Sequence, residues 1–356
     1  MKRISQLDGL RGIAVLMVFV YHAFLMPLMW TGVDLFFVLS GFLITGILMK
    51  SKERPSAEGY WGSFYSRRLR RIAPPYIGLL IFLTIFFTVP WAHIWYWYAF
   101  FGANFAVALG KCSVNSMIPL WSLAVEEQFY FVWPFLVLLC GRKTLKKLAI
   151  GIMVGAPVLR GLVTPMLATR EAIYTLTPFR ADLLACGALI AICSAEDSGW
   201  IQRHQRLALR GMIGAGALLI GLSVFHSFRL NANSEFFNVL GYSLIMVVFG
   251  SALVRSLGMT GGRTFAVLTS RPLRYMGQIS YTFYLYHMAV MDKLAQYVHP
   301  RLEIAIGGFL ITCLISVLSW HYLEQPILKL GVGRRPPPLP VKITGGSARP
   351  GFASGK

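Results

Sequence analysis

Two residues of a kind that moves protons or grips anions, Arg11 and His22, stand inside an otherwise apolar run covering 9–28. On an α-helix, eleven residues advance about 1100°, within about 20° of three full turns, and climb about 16 Å. The two side chains therefore share one face at two depths. Taken alone, Arg11 fits an arginine snorkelling to the membrane surface, and His22 fits a histidine hydrogen-bonded between packed helices. An ionisable group in an apolar span is nevertheless a functional candidate by default. Histidine is the natural base for deprotonating a hydroxyl, and a carboxylate beside it fixes its tautomer and stabilises the imidazolium. Spacing does not decide which carboxylate that is. Asp34 is the first candidate, because a short turn joins its run to the one carrying His22, and Glu127 is the second. The adjacent Glu126 cannot face the same way as Glu127 on a helix and is left to acceptor positioning. Trp121, Asp182, His287 and Tyr284 fall near the same end of their runs and are read as acceptor-binding residues. An oxyanion donor is also required, and Arg180, Trp121 or Tyr284 can supply it. Arg11 is too far from His22 to share a hydrogen bond, so its expected partner is a donor phosphate or a carboxylate such as Asp8. No serine or cysteine sits in a convincing nucleophile constellation, which favours direct attack, with Ser40 the one alternative.

The second chemical feature is RRLRRIAPPY, residues 67–76, with Arg67, Arg68, Arg70 and Arg71. Arginine grips phosphate bidentately, although such a cluster also serves as a topology signal or an acidic-lipid contact. Pro74 and Pro75 are expected to break or stiffen the chain where a helix begins, presenting the arginines from a shaped loop. In GVDLFFVLSGFLITG, Gly32, Gly41 and Gly46, with Ser40, allow close helix approach or a narrow passage for a donor. A phosphate grip on one side and a base on the other suit a long phosphorylated donor and a hydroxyl acceptor.

These residues need a membrane bundle to position them. Of 356 residues, 56% are hydrophobic and only 13% charged, about half the charge of a soluble domain. Apolar runs near 9–28, 32–49, 74–91, 119–140, 146–163, 179–194, 210–226, 237–255, 274–291 and 303–320 are long enough to cross a hydrocarbon core of about 30 Å. The expected fold is thus an all-α polytopic membrane protein of about ten transmembrane helices, with both termini cytoplasmic. That orientation puts the large majority of the 34 lysines and arginines inside, as the positive-inside rule requires. A full crossing by the Trp- and Tyr-rich stretch 94–110 would put Arg142, Lys143, Lys146 and Lys147 outside, so it is read as a re-entrant or interfacial segment. Residues 1–330 form the membrane domain, and 331–356, rich in Pro, Gly and Ser, read as a disordered cytoplasmic tail. The net charge of +20 falls in short clusters between apolar runs, which argues for topology and against nucleic acid. Cys112, Cys140, Cys186, Cys193 and Cys313 are irregularly spaced and indicate neither a disulfide framework nor a metal site.

The same blocks resemble the membrane-bound acyltransferase family 3, the bacterial integral membrane O-acyltransferases. The resemblance runs through LDGLRGIAVLMVFVYH at 7–22, GVDLFFVLSGFLI at 32–44, RRLRRIAPPY at 67–76, WSLAVEEQFYFVWP at 121–134, FRADLLACGALIA at 179–191, MGQISYTFYLYH at 276–287 and HYLEQP at 321–326. It implies transfer of an acyl group from cytoplasmic acyl-CoA, acetyl-CoA foremost, to a hydroxyl of a saccharide-containing or lipid-linked acceptor at the bacterial inner membrane. By position His22 matches the family's catalytic base, Arg11 its partner in the motif, and Arg67, Arg68, Arg70 and Arg71 the basic motif contacting CoA phosphates. Many polysaccharide-modifying members carry a further esterase-like domain at the carboxyl end, and the sequence here passes into the Pro/Gly tail instead. The rival reading is a secondary transporter whose buried charges form a substrate or proton path, against which stands the lack of an internal repeat.

Overall fold

The computed structural model describes residues 4–53, 57–112, 114–167, 171–225 and 237–330. The expected tail at 331–356 lies outside the described residues. The described chain is all-α: α1 Ser5–Phe24, α2 Gly32–Lys52, α3 Ala57–Phe86, α4 Trp91–Ala99, α5 Ala103–Ala108, α6 Leu120–Leu139, α7 Arg142–Val163, α8 Glu171–Thr175, α9 Thr177–Glu196, α10 Trp200–Phe225, α11 Tyr242–Gly258, α12 Arg263–Leu268, α13 Arg271–Leu294, α14 Arg301–Ser319 and α15 Gln325–Leu330. Among the described residues nine helices are long and apolar enough to cross a membrane, which makes the chain a polytopic membrane protein.

The difference from the ten expected spans is α13. It forms a 24-residue helix, but Gln278, Ser280, Thr282, Tyr284, His287 and Asp292 lower its apolarity below that of the other nine. Protein surrounds it, since α1, α14 and α3 all pack against it, so a polar face there meets protein and not lipid. The stretch 94–110 is divided between α4 and α5, of 9 and 6 residues, about 14 and 9 Å long. Phe101, with φ 51°, breaks the helix between them.

The most extensive packing joins α2 to α9, α1 to α13, α10 to α11 and α7 to α9. Glycines set the first two contacts. A Cβ on Gly41 would overlap the backbone carbonyl of Leu184, and one on Gly187 would overlap that of Val38, so α2 and α9 touch backbone to backbone. Gly277 of α13 lies in the same way against the Asp8 carbonyl of α1. At Gly46, by contrast, a Cβ would meet nothing within 4 Å, so of the glycines read as a passage this one plays no part in packing. Tethering bonds hold α3 and α2 to α6: the Tyr60 hydroxyl of α3 donates to Pro134 O at 2.7 Å, and Lys52 Nζ at the end of α2 donates to Val137 O and Cys140 O at 2.9 Å, satisfying free carbonyls at the α6 carboxyl end.

Gly41→Ala is expected to lower the stability of the purified protein by about 1–3 kcal/mol or more through overpacking, while Gly46→Ala leaves it unchanged. Thermal unfolding in detergent measures both, and equal midpoints for the two variants would refute the backbone contact.

Candidate functional site

At the end of the bundle where α1 and α13 begin and α2 ends, a cavity of 540 Å³ is lined by Asp8 and Arg11 of α1, Lys50 of α2, Arg67 and Arg71 of α3 and Gln278 of α13. The four arginines of RRLRRIAPPY stand on a helix and not on a loop, which corrects the expectation. α3 begins at Ala57 and runs through Pro74 and Pro75, because Tyr60 and Phe64 bury the stretch before the arginines in the core. Pro74 and Pro75 cannot donate to the carbonyls four residues earlier, and packing on α13 holds the helix together, with Tyr281 Oη donating to Ile72 O at 3.1 Å. On a helix the arginines point different ways. Arg67 and Arg71, one turn apart, line the cavity together. Arg68 turns to α6, where it pairs with Glu127 at 3.3 Å and lies 3.6 Å from the Tyr130 ring centroid. Arg70 does not line the cavity.

Arg11 also borders a second, narrow cavity of 60 Å³ between α1, α2, α6 and α13, with Phe36, Phe37, Ser40, Ser122, Glu126 and Tyr284 around it. It thus stands between the two spaces, lining both, and its Nε is buried without a hydrogen-bond partner among the described residues. Glu126 and Glu127 diverge, as neighbours on a helix must. Glu126 turns to α2 and accepts the Ser40 hydroxyl at 2.8 Å and the Tyr130 hydroxyl at 3.2 Å. Ser122 and Tyr284 place their hydroxyls 2.6 Å apart on the cavity wall, both near Pro119 O. From the sequence Ser122 is, with Trp121 and Gln128, a weaker candidate for lining a cavity, and the structure places Ser122 on this wall.

His22 lies beyond this cavity. Its Nδ1 is 3.0 Å from His287 Nε2 and 3.0 Å from Val18 O, while His287 Nδ1 is 2.6 Å from Tyr284 O. A carbonyl only accepts, so His287 Nδ1 donates to Tyr284 O. Neutral His287 then presents a lone pair at Nε2, and His22 Nδ1 donates, its proton shared between His287 and Val18 O. The lone pair of His22 is thereby left on Nε2. His287 is 1% exposed, and His22 is half-buried.

No carboxylate hydrogen-bonds His22 among the described residues, so both expected orienting residues are displaced. Glu127 is held by Arg68, and Asp34 forms a buried ion pair with Arg180. Beside that pair, Arg160 Nη2 donates to Asp182 Oδ2 at 2.8 Å and its Nε to Asn238 O at 2.8 Å. All four charged side chains are 0% exposed. The Arg180 guanidinium lies 4.1 Å from the Tyr242 ring centroid, 5.5 Å from Tyr174 and 5.9 Å from Trp121. Arg180, Asp182 and Trp121 thus gather around Asp34 and not around His22, because a buried carboxylate takes the nearest cation. The single polar focus expected from sequence is divided in two. Arg160 is not singled out by the sequence reading, although a lone arginine deep in an apolar run was the available signal. No cluster of His, Cys, Asp and Glu able to hold a metal occurs among the described residues.

A family model described as an acyltransferase domain matches residues 4–321. The chain is 28% identical to the peptidoglycan O-acetyltransferase OatA of Listeria monocytogenes serovar 1/2a over 93% of its own length and 56% of that protein. It is 27% identical to YrhL of Bacillus subtilis (strain 168), provisionally named a peptidoglycan O-acetyltransferase, over 92% of the chain and 55% of the relative. With a provisionally named O-acetyltransferase of Staphylococcus aureus (strain COL) the identity is 26%, over 93% and 58%. The chain therefore spans a little over half the length of the curated relatives it matches. No solved structure shows significant similarity to it. Long apolar helices together with bacterial relatives of this kind make the chain a multi-pass protein of the bacterial cytoplasmic membrane.

Arg160→Met leaves Asp182 buried without its counter-charge and is expected to destabilise the protein by about 3–5 kcal/mol, with Asp182→Asn in the same chain recovering most of the loss. Thermal unfolding of Arg160→Met, Asp182→Asn and the double variant measures this, and additive losses would show that the two side chains are not coupled.

Proposed function

The chain belongs to the acyltransferase-domain family, and from that premise we propose that it transfers an acyl group from acyl-CoA to an acceptor hydroxyl, with His22 as general base. The observation that carries the reading is Arg11, which lines both a cavity rimmed by Lys50, Arg67 and Arg71 and an adjacent cavity walled by Ser122 and Tyr284. In this reading the CoA phosphates rest on Arg67, Arg71 and Lys50, which suit phosphate by charge and by fork geometry. Arg11 lies along the path of the pantetheine arm. Ser40 and Glu126 border the narrow part, and the thioester comes to rest near Tyr284. Sidedness follows the positive-inside rule: α13 is the tenth span, the basic cavity opens to the cytoplasm where acyl-CoA is made, and α4 and α5 lie at the interface.

Chemically, His22 Nε2 takes the proton of the acceptor hydroxyl as its oxygen bonds to the thioester carbon. The Tyr284 and Ser122 hydroxyls are placed to donate to the resulting oxyanion. The carbon–sulfur bond then breaks, and the CoA thiolate takes the proton back from His22, giving the ester and free CoA. His287 is a positioning residue: its neutral Nε2 accepts from His22 Nδ1 and keeps the lone pair of His22 on Nε2. The names of the relatives support acetyl as the acyl group and a cell-wall glycan as the acceptor class.

His22→Ala is expected to abolish ester formation from acetyl-CoA while leaving the protein folded in the membrane, and substantial residual transfer would sink the general-base role. His287→Phe keeps a buried ring but loses the acceptor nitrogen, so kcat should fall by about 10²-fold or more with the KM for acetyl-CoA unchanged. Arg67→Gln and Arg71→Gln should each raise that KM severalfold with kcat preserved, whereas Arg70→Gln should not. Equal effects at all three arginines would make the cluster a topology signal only.

A further inference from the structure

Helix α13 strings the proposed reaction along its axis. Gln278 lines the basic cavity, and His287 lies nine residues on, about 14 Å away. Asp292 stands five residues further, about 7.5 Å beyond His287. At that level, at the end of the bundle opposite the basic mouth, opens a separate cavity of 390 Å³ lined by Phe87, Thr88, Asn115, Ser116 and Asp292. Asp292 Oδ2 accepts the Ser116 hydroxyl at 2.6 Å, and its Oδ1 has no hydrogen-bond partner among the described residues.

The lining is distinctive in what it offers. A carboxylate oxygen accepts from two hydroxyls, an amide donates and accepts, a threonine hydroxyl does both, and Phe87 provides an apolar ring. Among the described residues no lysine or arginine lines the cavity. The nearest cation in sequence, Lys293, stays at the rim, 5.8 Å from the Phe87 ring centroid, where it donates to Phe86 O at 3.3 Å and Gln296 Oε1 at 2.8 Å. A phosphate or sulfate would meet the Asp292 carboxylate inside the cavity, with Lys293 outside the lining and already bonded to Phe86 O and Gln296 Oε1, whereas a neutral polyol meets acceptors and donors in alternation. The volume falls within the range of pockets that hold small molecules.

We propose that this cavity is a subsite for a neutral sugar ring of the acceptor, with Asp292 Oδ1 accepting its hydroxyls and Asn115 and Thr88 completing the set. It rests on the acyl-transfer reading and deepens it by assigning the place where a sugar of the glycan acceptor binds, at the end of α13 remote from the donor. A merely structural role would have Asp292 pin the short turn Asn115–Met117 to α13 through Ser116. The two differ in what Asn at position 292 does: its side-chain oxygen still accepts from Ser116, but the negative charge that strengthens bonds from sugar hydroxyls is gone.

The test uses the full chain in lipid nanodiscs with acetyl-CoA and, as acceptor probe, the N-acetylglucosamine tetramer, following CoA release and acetylated tetramer by mass spectrometry. Asp292→Asn is expected to raise the KM for the tetramer about tenfold, with the KM for acetyl-CoA and the thermal midpoint unchanged. Asn115→Ala is expected to act in the same direction more weakly. An unchanged acceptor KM in Asp292→Asn, or a fall in thermal midpoint with donor and acceptor KM altered alike, overturns the subsite while leaving acyl transfer standing. Acylation of membrane lipid but not of the tetramer by the wild-type protein does the same. Absence of any thioester-dependent product with wild-type protein overturns the acyl-transfer reading itself, and this inference with it.

Discussion

The ion pair between Arg180 and Asp34, with Arg160 and Asp182 beside it, is the constraint around which the bundle is arranged. Four charges are removed from water altogether, and such a group is tolerable only when each charge has its opposite at hydrogen-bond distance. Meeting that condition fixes α2 against α9 and α7 against α9. The short reach of Asp34 is met because Gly41 and Gly187 let α2 and α9 approach backbone to backbone. Aromatic rings fill the rest of the space around the guanidinium of Arg180. A quartet of this kind contributes geometric definition more than net stability, since desolvation offsets most of the Coulomb attraction.

Pairing at the quartet also decides what remains for chemistry. Asp34, Asp182 and Arg180 are committed to one another, and Glu127 is committed to Arg68. His22 has no carboxylate partner among the described residues, and the side chain it meets is neutral His287. A carboxylate partner would stabilise an imidazolium by charge; a second imidazole can only share a proton. On the proposed reading this suits a base whose proton is held briefly and handed on to a leaving thiolate. The orientation of the pair comes from backbone carbonyls of α1 and α13, Val18 O and Tyr284 O, so the register between these two helices sets the site. That register rests on Gly277, whose missing side chain lets α13 lie against the Asp8 carbonyl.

How far the sequence carried can be followed residue by residue. Low charge and long apolar runs are sufficient for a multi-span helical protein, because lipid allows few other ways to satisfy a backbone. The helical repeat alone places Arg11 and His22 on one face at two depths, and α1 is indeed unbroken from Ser5 to Phe24. The divergence of Glu126 from Glu127 follows from the same repeat. Local rules served less well at RRLRRIAPPY, where two prolines suggested a loop and burial of Tyr60 and Phe64 kept a helix. The run at 274–291 forms the helix α13, but it is more polar than the other long helices, because its polar face packs on protein.

What the sequence by itself determined, then, is the class of fold, the family blocks and the set of side chains that carry charge inside the bundle. Which of those charges meet was decided only by tertiary structure. Spacing along one helix specifies direction and height about its own axis, but the partner of a side chain lies on another helix whose rotation and register are fixed by packing. Asp34 is 12 residues from His22 along the chain, yet it faces Arg180, 146 residues away. His287, 265 residues from His22 in sequence, is the one that touches it. A carboxylate is drawn to the nearest guanidinium in space, and no linear pattern records that distance.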